Sequence, residues 1–529
     1  MARVSPSPRG ERPLPRLAIV AVVLVLCVAG ALVAFDGGDD DVFNPDVGFV
    51  ERNEDTPRAT AKLPRADRHP ADDGFRWPHY GYSKARTHHL PLRRTPRPPF
   101  RQAWARRGSV LLEFSPVLCG RRVYLLKNNG ALYAISRTSG RVSWKRKLGY
   151  LAAASPACHD GTIYAVLLKR TEQEGAGRII AVKAKTGSTR WSRRLPSRSE
   201  SSPLIDHGRI YIGSEDGTVY SLRAKDGVVR WRSKAAGAVK GAIALDAGKL
   251  YFGDYGGRVH AIRRSDGTKV WSTAPGSGAL GLGSGNFYST AAVAYGRVYI
   301  GSTNGTVYSL SSADGKLAWS RSTGAFVYAS PAVGQVRGGK PTVYIGAYNG
   351  RFYALNARTG APRWVRSLGT KISGAATIIG DAVFVSDLGR RMTWALGART
   401  GKTLWRTSRG AFHPAISDGR RVYFTAYTSL FALDPKGRPF GRGAASDARR
   451  QARAQRAAAR RQAERRARAR TQARRVRQLR YRFAPHGHRH SAKAGYKRSC
   501  HRHKHVYGLR GRTIALRHSH CHTHTRARR

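Results

Sequence analysis

From about residue 100 onward one eleven-residue unit recurs, and it limits the possible folds more than any other feature. ALNARTGAPRW, AIRRSDGTKVW and SLSSADGKLAW are three copies. The seven copies end at Trp144, Trp191, Trp231, Trp271, Trp319, Trp364 and Trp405, each with Gly four residues earlier. Successive Trp residues lie 47, 40, 40, 48, 45 and 41 positions apart. A period of that length means stacked supersecondary units. Upstream of each copy comes S-P or a relative of it, a short apolar run, V/I-Y-I-G, an Asn-Gly or Asp-Gly pair, and V-Y-S-L. The segments GRIYIGSEDGTVYSL (208–222) and GRVYIGSTNGTVYSL (296–310) show it best. Their alternation has the period of two that strands require. Asn129-Gly130, Asp216-Gly217, Asn304-Gly305 and Asn349-Gly350 mark hairpins, because these residues tolerate positive φ. The unit therefore predicts four short antiparallel strands.

Four-stranded units of this length fit the blades of a propeller. Seven are complete. An eighth begins at Phe412-His413-Pro414 and runs to SLFALDPKG (429–437) without a Trp; RPPFRQAWARRG supplies the missing strand, with Trp104, at the other end of the array. The expected fold is all-β: an eight-bladed propeller over 95–441, monomeric, its last blade closed by the N-terminal strand. Trp104 and the seven repeat tryptophans are expected to dock blade on blade, burying a large ring and satisfying the indole N–H on a neighbouring backbone.

The repeat resembles the tryptophan-docking unit of pyrroloquinoline-quinone-type propellers, a family that includes quinoprotein dehydrogenases and the propeller lipoprotein of outer-membrane protein assembly. The resemblance covers about 96–437. The family often has Asp at the third position of the unit; here Ser136, Lys183, Arg223, Arg263, Ser311, Asn356 and Gly397 stand there, and only Asp434 matches. The resemblance implies the fold, and it implies either an assembly role or a quinone enzyme. The enzymes use an adjacent Cys–Cys pair, a Ca²⁺ held by Glu and Asn, and an Asp base. None of the five cysteines is adjacent to another, and no compact Glu/Asn/Asp group stands out. Loops are short except 171–177 and the Gly-rich 274–287. The chain is therefore expected to be a non-enzymatic binding or assembly scaffold, with no catalytic residue, cofactor or metal; a quinoprotein-like oxidoreductase is the alternative. Cys119 and Cys158 read first as small buried apolar residues, with a bridge between them as the other reading outside the membrane. Residues just before the innermost strands can rim the central channel: Glu113, Glu200, Lys240, Tyr288, Tyr328, Lys371 and His413. Side chains from all blades converge there on one ligand, which makes these seven the candidate binding residues.

Leu17 to Phe35 is 19 uncharged apolar or small residues, preceded by Arg3, Arg9, Arg12 and Arg16 and followed by Asp36, Asp39, Asp40 and Asp41. At 1.5 Å rise per residue it spans roughly the 30 Å hydrocarbon core. The expectation is a single-pass anchor in the cytoplasmic membrane, with 1–16 inside and the rest outside. A signal peptide cleaved near Ala29-Gly30-Ala31 is the other reading. Residues 36–94, without a regular period and rich in Pro, Arg, Asp and His, read as an extended spacer.

The formal charge is +64, and residues 442–529 hold 28 Lys/Arg against Asp447 and Glu464 alone. Fifteen Arg in 449–482, with no apolar stripe, suit a single helix or a disordered segment. Ten of the 18 His follow, in HGHRH, CHRHKH and HSHCHTH. The tail reads as basic and flexible, its His incidental, and a Cys500–Cys521 disulfide is compatible with an oxidising compartment. Beyond the membrane its partners are envelope proteins or anionic envelope polymers. Nucleic-acid binding through the tail is a third reading, which the expected location disfavours.

Overall fold

The computed structural model describes residues 41–51, 76–92, 95–276, 285–412, 415–436, 464, 467, 471, 498–509 and 512–523. The segment 17–35, the end of the spacer nearest to it, and His413 lie outside these residues. Among the described residues no helix is long and apolar enough to cross a membrane.

Each repeat folds as one antiparallel sheet in sequence order, from Val117–Cys119 to Val142–Lys147 in blade 1 through Thr377–Ile379 to Thr403–Thr407 in blade 7. The eighth sheet combines Ala415–Ser417, Val422–Thr425 and Leu430–Pro435 with Phe100–Arg106 as its outer strand. Trp104 is in register with Ala432, as Trp364 is with Ala354 in its own blade. The ring is therefore closed by the N-terminal strand, and the blades number eight.

The repeat motif is a joint between blades. Gly140, Gly187, Gly227, Gly267, Gly315, Gly360 and Gly401 all have φ between 67° and 79°. A Cβ on any of them would lie 2.6–2.9 Å from the indole of the preceding blade, from Trp104 through to Trp364. Gly is required both for its conformation and for the ring that covers it. Each indole N–H then donates to a carbonyl three residues before that Gly: Trp104 to Arg137, Trp144 to Ala184 and Trp191 to Ala224 at 3.0 Å, and Trp364 to Ala398 at 3.1 Å. The Tyr of the V/I-Y pair joins it. Tyr124, Tyr251 and Tyr344 donate their hydroxyls to the same carbonyl as their own blade's Trp. One carbonyl thus receives two donors and two packed rings. At the closing seam between blades 8 and 1, Tyr423 instead donates to Asp418, which is ion-paired with Arg137 at 2.7 Å, both side chains almost fully buried.

The S-P motif links the inner strands. The Ser202 hydroxyl accepts from Ser155 N (3.0 Å), Thr290 from Ala242 N (2.9 Å), and Ser330 from Thr290 N (3.0 Å). These strands converge on the axis. Convergence also brings Cys119 and Cys158 together, with a Cα separation of 6.6 Å, and they form a disulfide. Of the two readings, buried apolar residues or a bridge, the bridge is the one found: neighbouring innermost strands run close enough for it, a proximity that sequence offsets conceal.

The expected spacer is also corrected where it is described. Residues 41–51 lie along the outer strand of blade 5, where Asn44 N donates to Ala318 O (2.7 Å) and Ser320 N to Val42 O (3.0 Å). They cover an open sheet edge and bury Trp319 completely. Residues 76–90 wind around the channel wall. Arg76 and Trp77 pair with Cys119 and Leu118 of blade 1. Pro78 O accepts from Cys158 N in blade 2, and His79 Nε2 from Ile205 N in blade 3. Lys84 O accepts from Leu245 N, Ala85 O from Val293 N, Thr87 O from Val333 N and His88 O from Ile378 N, in blades 4 to 7. Leu118, Cys158, Ile205, Leu245, Val293, Val333 and Ile378 are each the middle residue of a three-residue inner strand, and Cys119 ends the first of them. Inner edges have unpaired N–H groups, and an extended segment without any period of its own can satisfy them in turn. Arg86, fully buried, donates to Tyr80 O, Ser202 O and Ile243 O.

Residues 454–529 form a separate unit. Its described part is a hairpin of Arg498–Leu509 with Arg512–Thr523, and residues 464, 467 and 471 are helical. For 498–523 the expectation of a disordered tail or single helix is corrected. The strands are antiparallel, with Cys500 opposite Cys521. Histidine at 501, 503 and 505 and at 518, 520 and 522 recurs with a period of two.

Candidate functional site

On the axis, residues from seven blades surround an open cup. Tyr80 of the winding segment lines it from within the channel. Its hydroxyl reaches Ser330 Oγ (3.3 Å), and its ring packs on His88 and Phe114.

Five of the seven expected residues line this cup: Glu113, Glu200, Lys240, Tyr288 and Tyr328. Strand register explains why. All five stand four residues before the first residue of an inner strand: Val117, Leu204, Ala244, Ala292 and Ala332. In blade 7 that place belongs to Ser373, which lines the cup, and in blade 8 to Ala411. Lys371 is two residues further back; it is exposed and sits over the Tyr348 ring at 5.5 Å. Blade 7 has no S-P at its entry, and counting back along its apolar run lands on Lys371 instead of Ser373. His413 lies outside the described residues.

The cup has two unlike sides. On one, Lys240 bridges Glu200 (3.0 Å) and Glu215 (3.4 Å), and Arg198 pairs with Glu215 (2.7 Å). Tyr288 donates to Glu200 (3.1 Å), and Asn128 donates to Glu113 (2.8 Å). On the other, Tyr288, Tyr328, Phe326 and Tyr348 form a chain of edge-on and tilted rings, with Tyr328 and Tyr348 4.9 Å apart. Glu215, Tyr348 and Tyr80 were not legible as site residues, because they come from other strands and from outside the repeats; Phe114 and Phe326 stand one and two places from Glu113 and Tyr328 and were passed over.

Burial pushes the Glu113 carboxyl up, and Glu200 adds to it, against the opposing Asn128 hydrogen bond. Burial likewise raises Glu200, more than Lys240 lowers it. Burial depresses Lys240, but Glu200 and Glu215 outweigh it, so its net shift is upward. Among the described residues no ion pair includes Glu113. A raised carboxyl binds its proton more tightly in the folded state than in the unfolded one. Stability therefore falls as pH rises from the unfolded value of about 4.3 through the higher folded value. The Glu113→Gln variant, which retains an acceptor for Asn128, should be more resistant to urea than the parent at pH 7.5, with the difference vanishing near pH 4. An equal difference at both pH values would refute that origin.

The quinone of the dehydrogenases that this fold resembles is a planar tricarboxylate. The cup is lined by Glu113 and Glu200, and its Lys240 is already ion-paired to Glu200 and to Glu215, which also holds Arg198. A polyanion does not fit that set.

A family model described as outer membrane protein assembly factor BamB matches residues 128–281, 276–337 and 334–519. In three dimensions the chain is similar to BamB from Moraxella catarrhalis, at 18% identity and a TM-score of 0.52, over 64% of this chain and 99% of that one. It is also similar to the quinohemoprotein alcohol dehydrogenase ADHIIG from Pseudomonas putida HK5, at 15% identity and a TM-score of 0.55, over 72% and 83%. The quinohemoprotein alcohol dehydrogenase from Comamonas testosteroni gives 14% and 0.55, over 70% and 82%. At these identities the likeness is one of fold. No curated protein matches the sequence.

Proposed function

Given that the chain belongs to the family described as outer membrane protein assembly factor BamB, we propose that it is a non-enzymatic envelope scaffold. Residues 17–35 anchor it in the cytoplasmic membrane, and its propeller outside captures a basic segment of a partner protein. The observation that carries this reading is the cup itself. In a chain of +64, it gathers Glu113 and Glu200, with Glu215 ion-paired to the Lys240 of its wall, beside Phe114, Tyr288 and Tyr328. Carboxylates and ring faces together suit an ammonium or guanidinium. The chain's own residues 76–90 meanwhile occupy the inner strand edges, so the cup is shallow and suited to a protruding side chain.

Two experiments test this. A photo-crosslinking residue at Tyr328 should trap an envelope protein in intact cells, and Glu113→Gln/Glu200→Gln should lower that yield. Dye reduction by purified protein supplied with quinone, Ca²⁺ and an alcohol would overturn the reading in favour of an oxidoreductase. A reporter fused after residue 441 should be active outside the cytoplasm and silent within it; the reverse would reject the proposed orientation.

A further inference from the structure

The outer edge of blade 5 carries an extended acidic segment, and the same kind of edge recurs in blade 2. In blade 5, Asp41 to Asn44 run antiparallel to the outer strand Leu317–Ser322. Phe43 is opposite Trp319, Asn44 N donates to Ala318 O (2.7 Å), and Ser320 N donates to Val42 O (3.0 Å). The Asp41 carboxylate accepts from Ser322 N (2.9 Å) and pairs with Arg321. Blade 2 has the same Trp-Ser-Arg in its outer strand Thr189–Arg194. Its register is the same too. Trp191 is opposite Ala181 and Ser192 opposite Ile180, as Trp319 is opposite Ser309 and Ser320 opposite Tyr308, and a bulge directly follows the partner of each Trp. Arg190 O and Ser192 N therefore face away from the sheet, as Ala318 O and Ser320 N do. Among the described residues no strand pairs with this edge of blade 2. Trp191 is partly exposed, where Trp319 is fully buried. Arg193 stands where Arg321 does, and among the described residues its buried Nε has no hydrogen-bond partner. Arg190 and Arg194 are exposed on either side of it, Arg194 at 3.6 Å from Glu174.

We propose that the outer edge of blade 2 docks an extended acidic segment of a partner protein, which joins the sheet as an added antiparallel strand. The backbone groups of an open edge supply affinity whatever the sequence, and the side chains beside them select. Here the selection is by charge. The neighbouring outer strands of blades 1, 2 and 3 contain nine Lys/Arg and no Asp or Glu, whereas those of blades 4, 5 and 7 contain one Lys/Arg each. An acidic chain is attracted to this sector of the rim, and a basic one is repelled. A carboxylate placed as Asp41 is on blade 5 meets Arg193 and completes its hydrogen bonding. The outer strand of blade 7 is also an edge, but Thr407 stands there at the place of Arg193, so that selection is missing. The docking edge lies on the rim, takes the opposite charge to the cup, and does not depend on it.

The test uses the full chain and a fluorescent synthetic peptide with the sequence of residues 39–47, DDDVFNPDV, followed by anisotropy. Saturable binding is expected, weakening as salt rises, because exposed charges are screened over about 8 Å at physiological ionic strength. Arg193→Glu should weaken binding about tenfold or more, since juxtaposed like charges cost more than a lost pair, and Arg193→Lys should keep most of it. Ser192→Pro removes the outward N–H at an edge position, where Pro is tolerated, and should lower affinity by a similar factor. Two further measurements leave the edge unaltered at Arg193 and Ser192, so they decide the matter whether or not those variants fold. The peptide with all its Asp changed to Asn should not saturate the parent. A photo-crosslinking residue at Arg190 should capture the Asp peptide, and one at Leu404, the matching place in blade 7, should not. Glu113→Gln/Glu200→Gln should leave peptide binding unchanged, which separates this edge from the cup. Absence of saturable binding, equal binding of the Asn peptide, or equal capture at Leu404 would each overturn the proposal. Capture of the chain's own residues at Arg190 in place of the peptide would overturn it in favour of an edge that the chain itself covers.

Discussion

Replacing Trp104 by Ala is expected to destabilise the whole propeller by about 3–5 kcal/mol, the usual range for removing a buried Trp. Trp104 is 8% exposed. Its ring covers Gly140 of blade 1, its N–H holds the Arg137 carbonyl, and it packs on Tyr423 of blade 8 at 5.9 Å. It therefore joins the last blade to the first, and no later blade can take over that contact. Deleting 95–106 should have the larger effect. It removes the outer strand of blade 8, exposes the edge of Leu430–Pro435, and opens the ring. The check is urea unfolding followed by Trp fluorescence and far-ultraviolet circular dichroism. A deletion variant that unfolds at the parent's midpoint would show that closure lies elsewhere.

The second large effect is expected at Arg86. Its guanidinium is buried, and burial lowers it to about 9. It donates to three carbonyls from three parts of the chain: its own segment at Tyr80, Ser202 of the blade 3 entry, and Ile243 of the blade 4 entry. Among the described residues no carboxylate is ion-paired with it. Arg86→Ala leaves those carbonyls buried without their donor and leaves a void. Each charged hydrogen bond contributes about 1.5–3 kcal/mol, and unpaired buried groups add to the cost, so a loss of about 3–5 kcal/mol is expected. Arg86→Lys should restore little, because one ammonium cannot present the planar fork that meets three acceptors. Since Arg86 also holds Tyr80, which lines the cup, amide exchange should rise first over 76–90. Unchanged exchange there, with full stability, would refute the argument.

The difference between what could and could not be read has a physical basis in these particular residues. The Gly four places before each Trp was legible because one local joint is repeated, and repetition makes a weak signal strong. The closing strand was legible for the same reason: an array that ends without its Trp needs one from elsewhere, and Trp104 was the candidate. The role of the V/I-Y tyrosine was not read, because its acceptor lies about 60 residues further on, in the next blade.

The candidate cup shows the limit most clearly. Glu113, Glu200 and Tyr328 precede an S-P, and Lys240 and Tyr288 precede entries that lack it but keep the same distance to the inner strand. In blade 7, which also lacks S-P, Ser373 rather than Lys371 holds the corresponding place. Residues 41–51 and 76–92 were misjudged as spacer because an extended chain that borrows hydrogen bonds from existing sheet edges needs no hydrophobic period.

The sequence alone determined that this chain builds four-stranded blades, how many there are, and which ring seals each joint. Those are consequences of short-range alternation, turn chemistry and repetition, all properties of contiguous residues. Tertiary structure alone decided what winds through the channel, which cysteines meet in the propeller, and which side chains share the cup. These depend on positions far apart in sequence being brought to one axis or into one strand register, and no local pattern encodes such a distance.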